Sequence, residues 1–289
     1  MSTDASIIGV EKGQYNVPTK EAGKYVTVHW ETEVGQLTDL TGISHNGIYR
    51  GKDLTNYYAS GEMSKAIANG SFKDIYIGDY ITKNIVVGGT TYQVKWEVAD
   101  IDYFYKSGDA SCDTHHVVLL PSKAVFVNIK MNDTDTTKGG YAGSKMWKET
   151  IPAVVTGIKA AFGADHVVKH RELLTIKVSA TAQSVAGAGW TGSSTGQAWA
   201  DVEANIPTEP MVYGGTVFGS SGYDVGSGGK QFAIFRFKKG CYPDRMWFWL
   251  RAVASASGFC SVGDDGLANY LDASRSASSG GCRPYFLFR

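Results

Sequence analysis

Cys112, His115 and His116 stand together in the segment CDTHH, where a thiolate and an imidazole could meet one ion. A structural zinc site takes four ligands, usually in paired clusters. No second C-x-x-C or H-x-x-H occurs in the chain, so the two histidines are expected on a strand, bonded to backbone, and no metal is assigned. NDTDT (132–136) offers oxygens suited to calcium, but it lacks the glycine and distal glutamate of an EF-hand loop and reads as a solvated turn. In KHRELL, His170 and Glu172 lie close together, with Asp165 and His166 just upstream. They fit an acid–base dyad or, more commonly, surface charges on a capped helix, and both uses stay open. The glycine-rich pieces DVGSGG and VGGTT lack the pattern of a phosphate-binding loop, and no G-x-S-x-G elbow occurs. No catalytic residue and no cofactor are assigned, and these residues do not read as the active site of an enzyme.

The elements that must position these residues read as α+β rather than as alternating βαβ units. KYVTVHWETEV alternates like a half-buried strand, GISHNGIYRGKDLT reads as a loop, and GEMSKAIANG reads as a short helix between glycines. FKDIYIGDYI and TYQVKWEVADIDYFY read as strands joined by a hairpin turn at VGGTT, and THHVVLLPS as a short strand ended by Pro121. GSKMWKET has room for a turn or two, and TIPAVVTGIKAAFG for a helix with Thr150 as N-cap and Val154, Ile158 and Phe162 on one stripe. DHVVKHRELL is expected to continue in helical register. TGSSTGQAWADVEANIPTEPMVYG is expected as loop and then short helix. QFAIFRF, MWFWLRAV and RPYFLFR are expected as strands.

Composition narrows the partners. Net charge is +0, which leaves no electrostatic footprint for nucleic acid or an anionic membrane. No apolar run is long enough to span a bilayer, and no secretory signal is visible, so synthesis in a cytosol is expected. The four cysteines then argue against a disulfide framework. Glycine (35 residues) and aromatics (12%) are both abundant, a pairing suited to loops that carry binding surface.

Such a surface is suggested near the C-terminus. The greasy run MWFWLR and the terminal PYFLFR frame a small, polar, glycine-rich middle. From 252 to 282 that middle holds no Lys, Glu, Gln, Met or Trp. Every residue type in it is reachable from an Asn codon by changing adenines alone, as adenine-directed diversification would leave it. A Ser/Gly loop that avoids long side chains for packing would look the same.

The W-L-R…R-P frame, WFWLRAVAS to CRPYF, resembles the C-terminal motif of a broad family of phage and Firmicutes proteins. Its relatives include hypervariable virion proteins targeted by diversity-generating retroelements. HNGIYRGKDLT, GSFKDIYIGDY, ADIDYFY, MNDTDTTKGGYAGSKMW, AFGADHVVKHRELL and EPMVYG carry the resemblance upstream, from about residue 43 to the end. One departure is Cys282, where valine is usual before Arg283 and Pro284. The resemblance implies a C-type lectin-like fold, as in the phage major tropism determinant and the formylglycine-generating enzyme family, in which terminal strands pair and a long irregular loop region rests on a rigid sheet. It implies residues 1–45 as an attachment or assembly segment and 46–289 as a ligand-binding domain with a variable region at about 244–282. It also implies a bacteriophage virion protein, a receptor-binding adhesin that meets a bacterial cell-surface ligand, protein or glycan, and contacts other virion proteins through its N-terminal segment. Homotrimerisation follows by the same analogy, without nucleic acid or membrane insertion.

Under that reading Trp247, Trp249, Arg251, Arg283 and Pro284 form the frame, with 284–288 the neighbour or near-neighbour of the 247–250 strand. The two arginines are expected to hold carbonyls of the variable stretch or to pair with an acid. The expected display set is Asp244, Arg245, Ser257, Gly258, Ser261, Gly263, Asp264, Asp265, Leu267, Asn269, Tyr270, Arg275, Ser278 and Ser279, bordered by Tyr223 and Asp224. Val253, Phe259, Cys260, Val262, Ala268 and Ala273 are expected inward. Tyr270 and Arg275 are the expected anchors, because these residue types dominate hot spots. The rivals are a structural virion component, such as a decoration or tail protein whose loops serve packing, and an enzyme, either a tail-associated hydrolase or a cysteine-dependent oxidase. An enzyme requires converging acids or cysteines. Three of the four cysteines (Cys241, Cys260, Cys282) lie in or near the variable stretch, a poor place for an obligate pair.

Overall fold

A computed structural model describes residues 14–18, 25–29, 42–178, 196–219, 230–237 and 245–289. The architecture is α+β. Strands β1 (Gln14–Pro18) and β2 (Tyr25–His29) pair with each other as an antiparallel hairpin. Two five-stranded sheets organise the rest. The first runs β3 (Tyr80–Val87), β4 (Thr90–Ile101), β5 (Val117–Pro121), β14 (Tyr285–Phe288) and β9 (Ala204–Asn205). The second runs β12 (Ala268–Asp272), β11 (Gly258–Val262), β10 (Trp247–Val253), β13 (Gly280–Cys282) and β6 (Phe126–Val127). A separate ribbon pairs β7 (His170–Thr175) with β8 (Gln197–Val202).

The helices are short: α1 (Thr55–Ala59), α2 (Glu62–Ala68), α3 (Gly140–Gly143), α5 (Glu209–Tyr213) and α6 (Ala233–Phe237). The longest, α4 (Ile151–Phe162), buries the expected Val154, Ile158 and Phe162. Phe162 meets Trp96 and Phe286 at ring-centroid distances of 5.8 and 5.0 Å, which ties the helix to the first sheet. The β3–β4 turn falls on VGGTT as expected. Gly88 and Gly89 both have positive φ (+58 and +81), the conformation that a two-residue hairpin turn needs and glycine takes without steric cost.

Several local expectations are overturned, each for a visible reason. FKDIYIGDYI is mostly loop before β3 begins at Tyr80. Phe72 and Asp74 take positive φ, and the buried Asp79 carboxylate gathers the amides of Lys52 and Tyr76 at 2.8 and 2.9 Å. DHVVKHRELL is a 3-10 turn (164–166) followed by β7, where His170, Glu172 and Leu174 are buried on alternate positions, the period of a strand. QFAIFRF holds helix α6. Its continuous apolar run does not distinguish strand from helix by period, and the Asp100 carboxylate accepts the Ala233 amide at 2.9 Å at its start. Thr150 is no N-cap. A π-helical turn (Met146–Thr150) runs straight into α4, and the Thr150 side chain makes no capping bond. The QAWADV stretch expected as loop is strand β8.

The last strand is also relocated. β14 is not beside β10; it lies in the other sheet between β5 and β9. β10 instead takes β13 as a parallel neighbour.

Candidate functional site

β10 is the foundation of the framed segment. All seven of its residues are buried, and all but Arg251 are apolar. Trp247 and Trp249 share one face and pack edge to face at 5.1 Å, and the Trp249 indole donates to the Ile129 carbonyl at 2.8 Å. β13 fits against it because it begins with two glycines. A Cβ on Gly280 would lie 1.8 Å from the Trp247 ring, and one on Gly281 would lie 1.8 Å from the Phe126 carbonyl oxygen. No side chain fits at either position, so tolerance to change ends at Ser279.

The two frame arginines have different duties. The Arg251 guanidinium pairs with the Glu172 carboxylate at 2.7 Å. Arg283 is fully buried between the rings of Phe235 and Phe248 and donates to the carbonyls of Pro121 and Ser122 at 2.7 and 3.2 Å. Those carbonyls lie at and just past the end of β5, so Arg283 stitches the two sheets together.

His170 and Glu172, expected on a helix surface, sit at the buried meeting point of β7, β10 and β14. Glu172 receives the Tyr285 hydroxyl at 2.7 Å, contacts His170 Nε2 at 2.7 Å and is reached by the Asn205 amide at 3.4 Å. Burial alone would raise the Glu172 carboxyl, but Arg251, His170 and Tyr285 outweigh it and hold it at about 2. The Arg251 ion pair thus ties the β7–β8 ribbon to the second sheet and the Tyr285 hydrogen bond ties it to the first, an arrangement that suits an anchor better than a proton carrier.

CDTHH resolves in a similar way. His116 is buried, with Nδ1 donating to the Thr114 carbonyl at 2.8 Å and Nε2 accepting the Phe104 amide at 3.2 Å. Both ring nitrogens are spent on backbone, and burial lowers the imidazole to about 3. His115 contacts Asp102 at 2.7 Å. Among the described residues no three His, Cys, Asp or Glu side chains gather as metal ligands.

NDTDT keeps Asp133, Thr134 and Asp135 exposed, as expected of a solvated turn, and it is also part of a strap beneath the framed segment. The Asn132 amide donates to Ala273 O at 2.9 Å, and Asp135 Oδ1 accepts the Ser274 amide at 2.9 Å. The Thr137 hydroxyl reaches the carbonyls of Ser255 and Ala256 at 2.8 and 2.9 Å, and the Asn128 amide reaches those of Ala277 and Gly280. One stretch of ten residues (128–137) therefore pins the segment at 255–256, 273–274 and 277–280. The motif residues were visible in the sequence, but their partners lie more than a hundred residues away.

The segment itself is more regular than its composition suggests. β11 and β12 form an antiparallel hairpin. Its turn is held by Leu267 N–H donating to Asp265 Oδ1 at 3.0 Å and by the Gly263 amide donating to Leu267 O at 2.8 Å. Arg245, Asp264, Asp265, Leu267, Asn269, Tyr270, Arg275, Ser278 and Ser279 are exposed, and Ser257 is half-buried. Gly258, Ser261 and Gly263 are buried and leave the display set. Gly258 and Ser261 belong to β11, an interior strand covered on both faces, and Gly263 closes the turn where a Cβ would lie 2.6 Å from Asp265 Oδ1. Val253, Phe259, Cys260, Val262 and Ala273 are inward, whereas Ala268 is half-buried at the sheet edge. Asp244, Tyr223, Asp224 and Cys241 lie outside the described residues.

Two residues of this face were not foreseen. Phe218 is 40% exposed and packs on Tyr270 at 5.4 Å, with Val217 (54%) beside it in sequence. Their loop is fixed from below by Glu209, fully buried, whose carboxylate accepts the amides of Val217, Phe218 and Gly219 at 3.1, 2.9 and 2.7 Å. The Tyr213 hydroxyl donates to Gly266 O at 3.2 Å, which brings α5 to the hairpin turn. Val217, Phe218, Leu267 and Tyr270 are four of the seven large hydrophobics exposed among the described residues. For Val217 and Phe218 the only sequence signal is the nearby EPMVYG piece, which holds α5.

Compared with known proteins, the chain matches no family model, no curated protein and no solved structure. Among the described residues no helix is long and apolar enough to cross a membrane.

Proposed function

We propose that the face built from the 263–279 segment and the 217–218 loop is a ligand-recognition surface of a hypervariable bacteriophage adhesin. On this reading the scaffold is C-type lectin-like, the protein resides in the virion, and the partner is a bacterial cell-surface ligand. The observation that carries the reading is the exposed Phe218–Tyr270 pair, with Leu267, Asp264, Asp265, Asn269 and Arg275 exposed in the same segment, on a backbone pinned at three places. Large exposed apolar groups rimmed by polar ones mark interaction sites, and Tyr and Arg are favoured anchors. Recognition is non-covalent. Several copies on one particle, as in a homotrimer, turn weak single contacts into avidity. Residues 1–45 supply the attachment to other virion proteins.

The test is to sequence the gene and its flanks across the source population. The reading expects a near-copy of the 3′ end beside a reverse transcriptase, differing at adenines, with altered codons at 264, 265, 267, 269, 270, 275, 278 and 279 and none at 280–281. Invariance of the whole stretch across isolates, with no template copy, overturns it in favour of a structural virion component.

A further inference from the structure

The outer face of the β7–β8 ribbon carries a second site. Leu173 and Trp199 are direct cross-strand partners there. Both are only half-buried, and neither belongs to the hydrophobic core or to the residues packed against it. They form one wall of a cavity of about 330 Å³, within the size range of small-molecule sites. Tyr103 and Phe104, whose rings meet at 4.7 Å, line the same cavity with Met211. Its lip is clamped by Arg171, held by Asp109 through two bonds (2.8 and 3.1 Å) and by Asp201 at 2.9 Å. The walls are thus aromatic, rigid and preformed.

The charges around the cavity are unequal. Glu172 and Arg251 neutralise each other at the buried end, and Arg171 is matched by its two carboxylates. Lys230 differs. Its side chain is half exposed, and its nearest acid among the described residues, Asp100, is 3.9 Å away. The ammonium lies 5.0 Å from the Tyr103 ring centroid, above one aromatic wall. A flat ring entering between Trp199 and the Tyr103–Phe104 pair would bring an acidic substituent to Lys230. Burial raises the Asp100 carboxyl to about 6, so Lys230 retains an acid partner at neutral pH, but a distant one that a ligand carboxylate can outcompete.

We infer that this cavity is a binding site for a small planar aromatic carboxylate, separate from the 263–279 face and independent of its role. The ring gains stacking area on preformed aromatics, and the carboxylate gains a charge-assisted hydrogen bond to Lys230.

Calorimetric titration of the full chain with indole-3-acetate, indole and tryptamine tests this. Saturable binding is expected in that order of affinity, with the acid at least about 10-fold tighter than the amine, about 1.4 kcal/mol. Lys230→Gln, at an exposed position outside the core, is expected to erase the preference for the acid while indole still binds. Trp199→Ala is expected to weaken all three by about 10-fold or more, with a thermal melt reporting whether the variant is folded. No saturation by any probe at about 1 mM, or an unchanged acid preference in Lys230→Gln, overturns the site.

Discussion

β11 and β12 are neighbouring strands of one hairpin, drawn from the same small-residue segment, yet they have opposite fates. All five residues of β11 are buried, while β12 exposes Asn269, Tyr270 and Asp272 and buries none. Composition does not separate them: GFCSV and ANYLD each mix small residues with one aromatic. Their places in the sheet do. β11 lies between β10 and β12, whereas β12 is the edge. A segment of small and polar residue types is thus open to change in the fold only along its outer strand, its turn and the 274–279 return.

The sharpest way to break this contrast is to place one codon-permitted residue in both strands. Ser261→Arg buries a guanidinium with no acid opposite it and is expected to cost about 5 kcal/mol. Asn269→Arg, at the paired position on β12, is expected to stay within about 0.5 kcal/mol of the parent. Urea unfolding measures both, and equal costs would refute the division into buried and displayed strands.

Next come the two aromatics. Phe259→Ala empties a fully buried position and should lose about 4 kcal/mol. Tyr270→Ala should leave the thermal midpoint almost unchanged while weakening capture of the ligand. A large loss of stability in Tyr270→Ala would mean that this side chain belongs to the scaffold.

A similar contrast recurs at His116 and His115, neighbours in sequence, with the first side chain fully buried and the second 30% exposed. His116 titrates at about 3 when folded, against 6.5 for the free side chain. A depressed histidine contributes stability that is complete above pH 6.5 and is lost as pH falls toward 3, because the unfolded chain takes up the proton first. His116→Asn removes that sensitivity. Its stability penalty, measured by urea midpoints at pH 7 and pH 4, should therefore shrink by about 3 kcal/mol on acidification.

The smallest expected effect sharpens the edge of the display face. Glu209→Ala leaves three backbone amides of the 217–219 loop without their acceptor. It should cost about 2 kcal/mol and reduce ligand capture by releasing Phe218 from Tyr270. Unaltered capture would confine recognition to the hairpin and its return loop.

Much of this arrangement was legible where local pattern and burial agree. The aromatic-rich run 247–253 reads as a covered strand, the stripe of Val154, Ile158 and Phe162 as a helix face, and VGGTT as a tight turn, and the structure agrees at all three. Tyr270, Leu267 and Arg275 were legible as large residues set among small ones. Pattern failed where a residue's role depends on a distant partner. Ser261 and Gly258 look like loop residues until β10 and β12 flank them. His170 and Glu172 look like helix surface until Arg251 and Tyr285 arrive from other strands. Asp135 and Thr137 look like a calcium-poor turn until 273–274 and 255–256 are laid over them.

What the amino-acid order determined alone is therefore the local material: which stretches must be covered, where the chain turns, and which segment has the chemistry of a surface. The alternation of polar and apolar groups, the bulk of tryptophan and phenylalanine, and the freedom of glycine act over a few residues and need nothing else. Only the tertiary structure decided which half of the permissive segment is fixed, that Phe218 joins Tyr270, and that Arg251 and Arg283 serve different partners. Those outcomes rest on contacts between residues far apart in the chain. Burial and charge pairing act through space, and no local pattern records them.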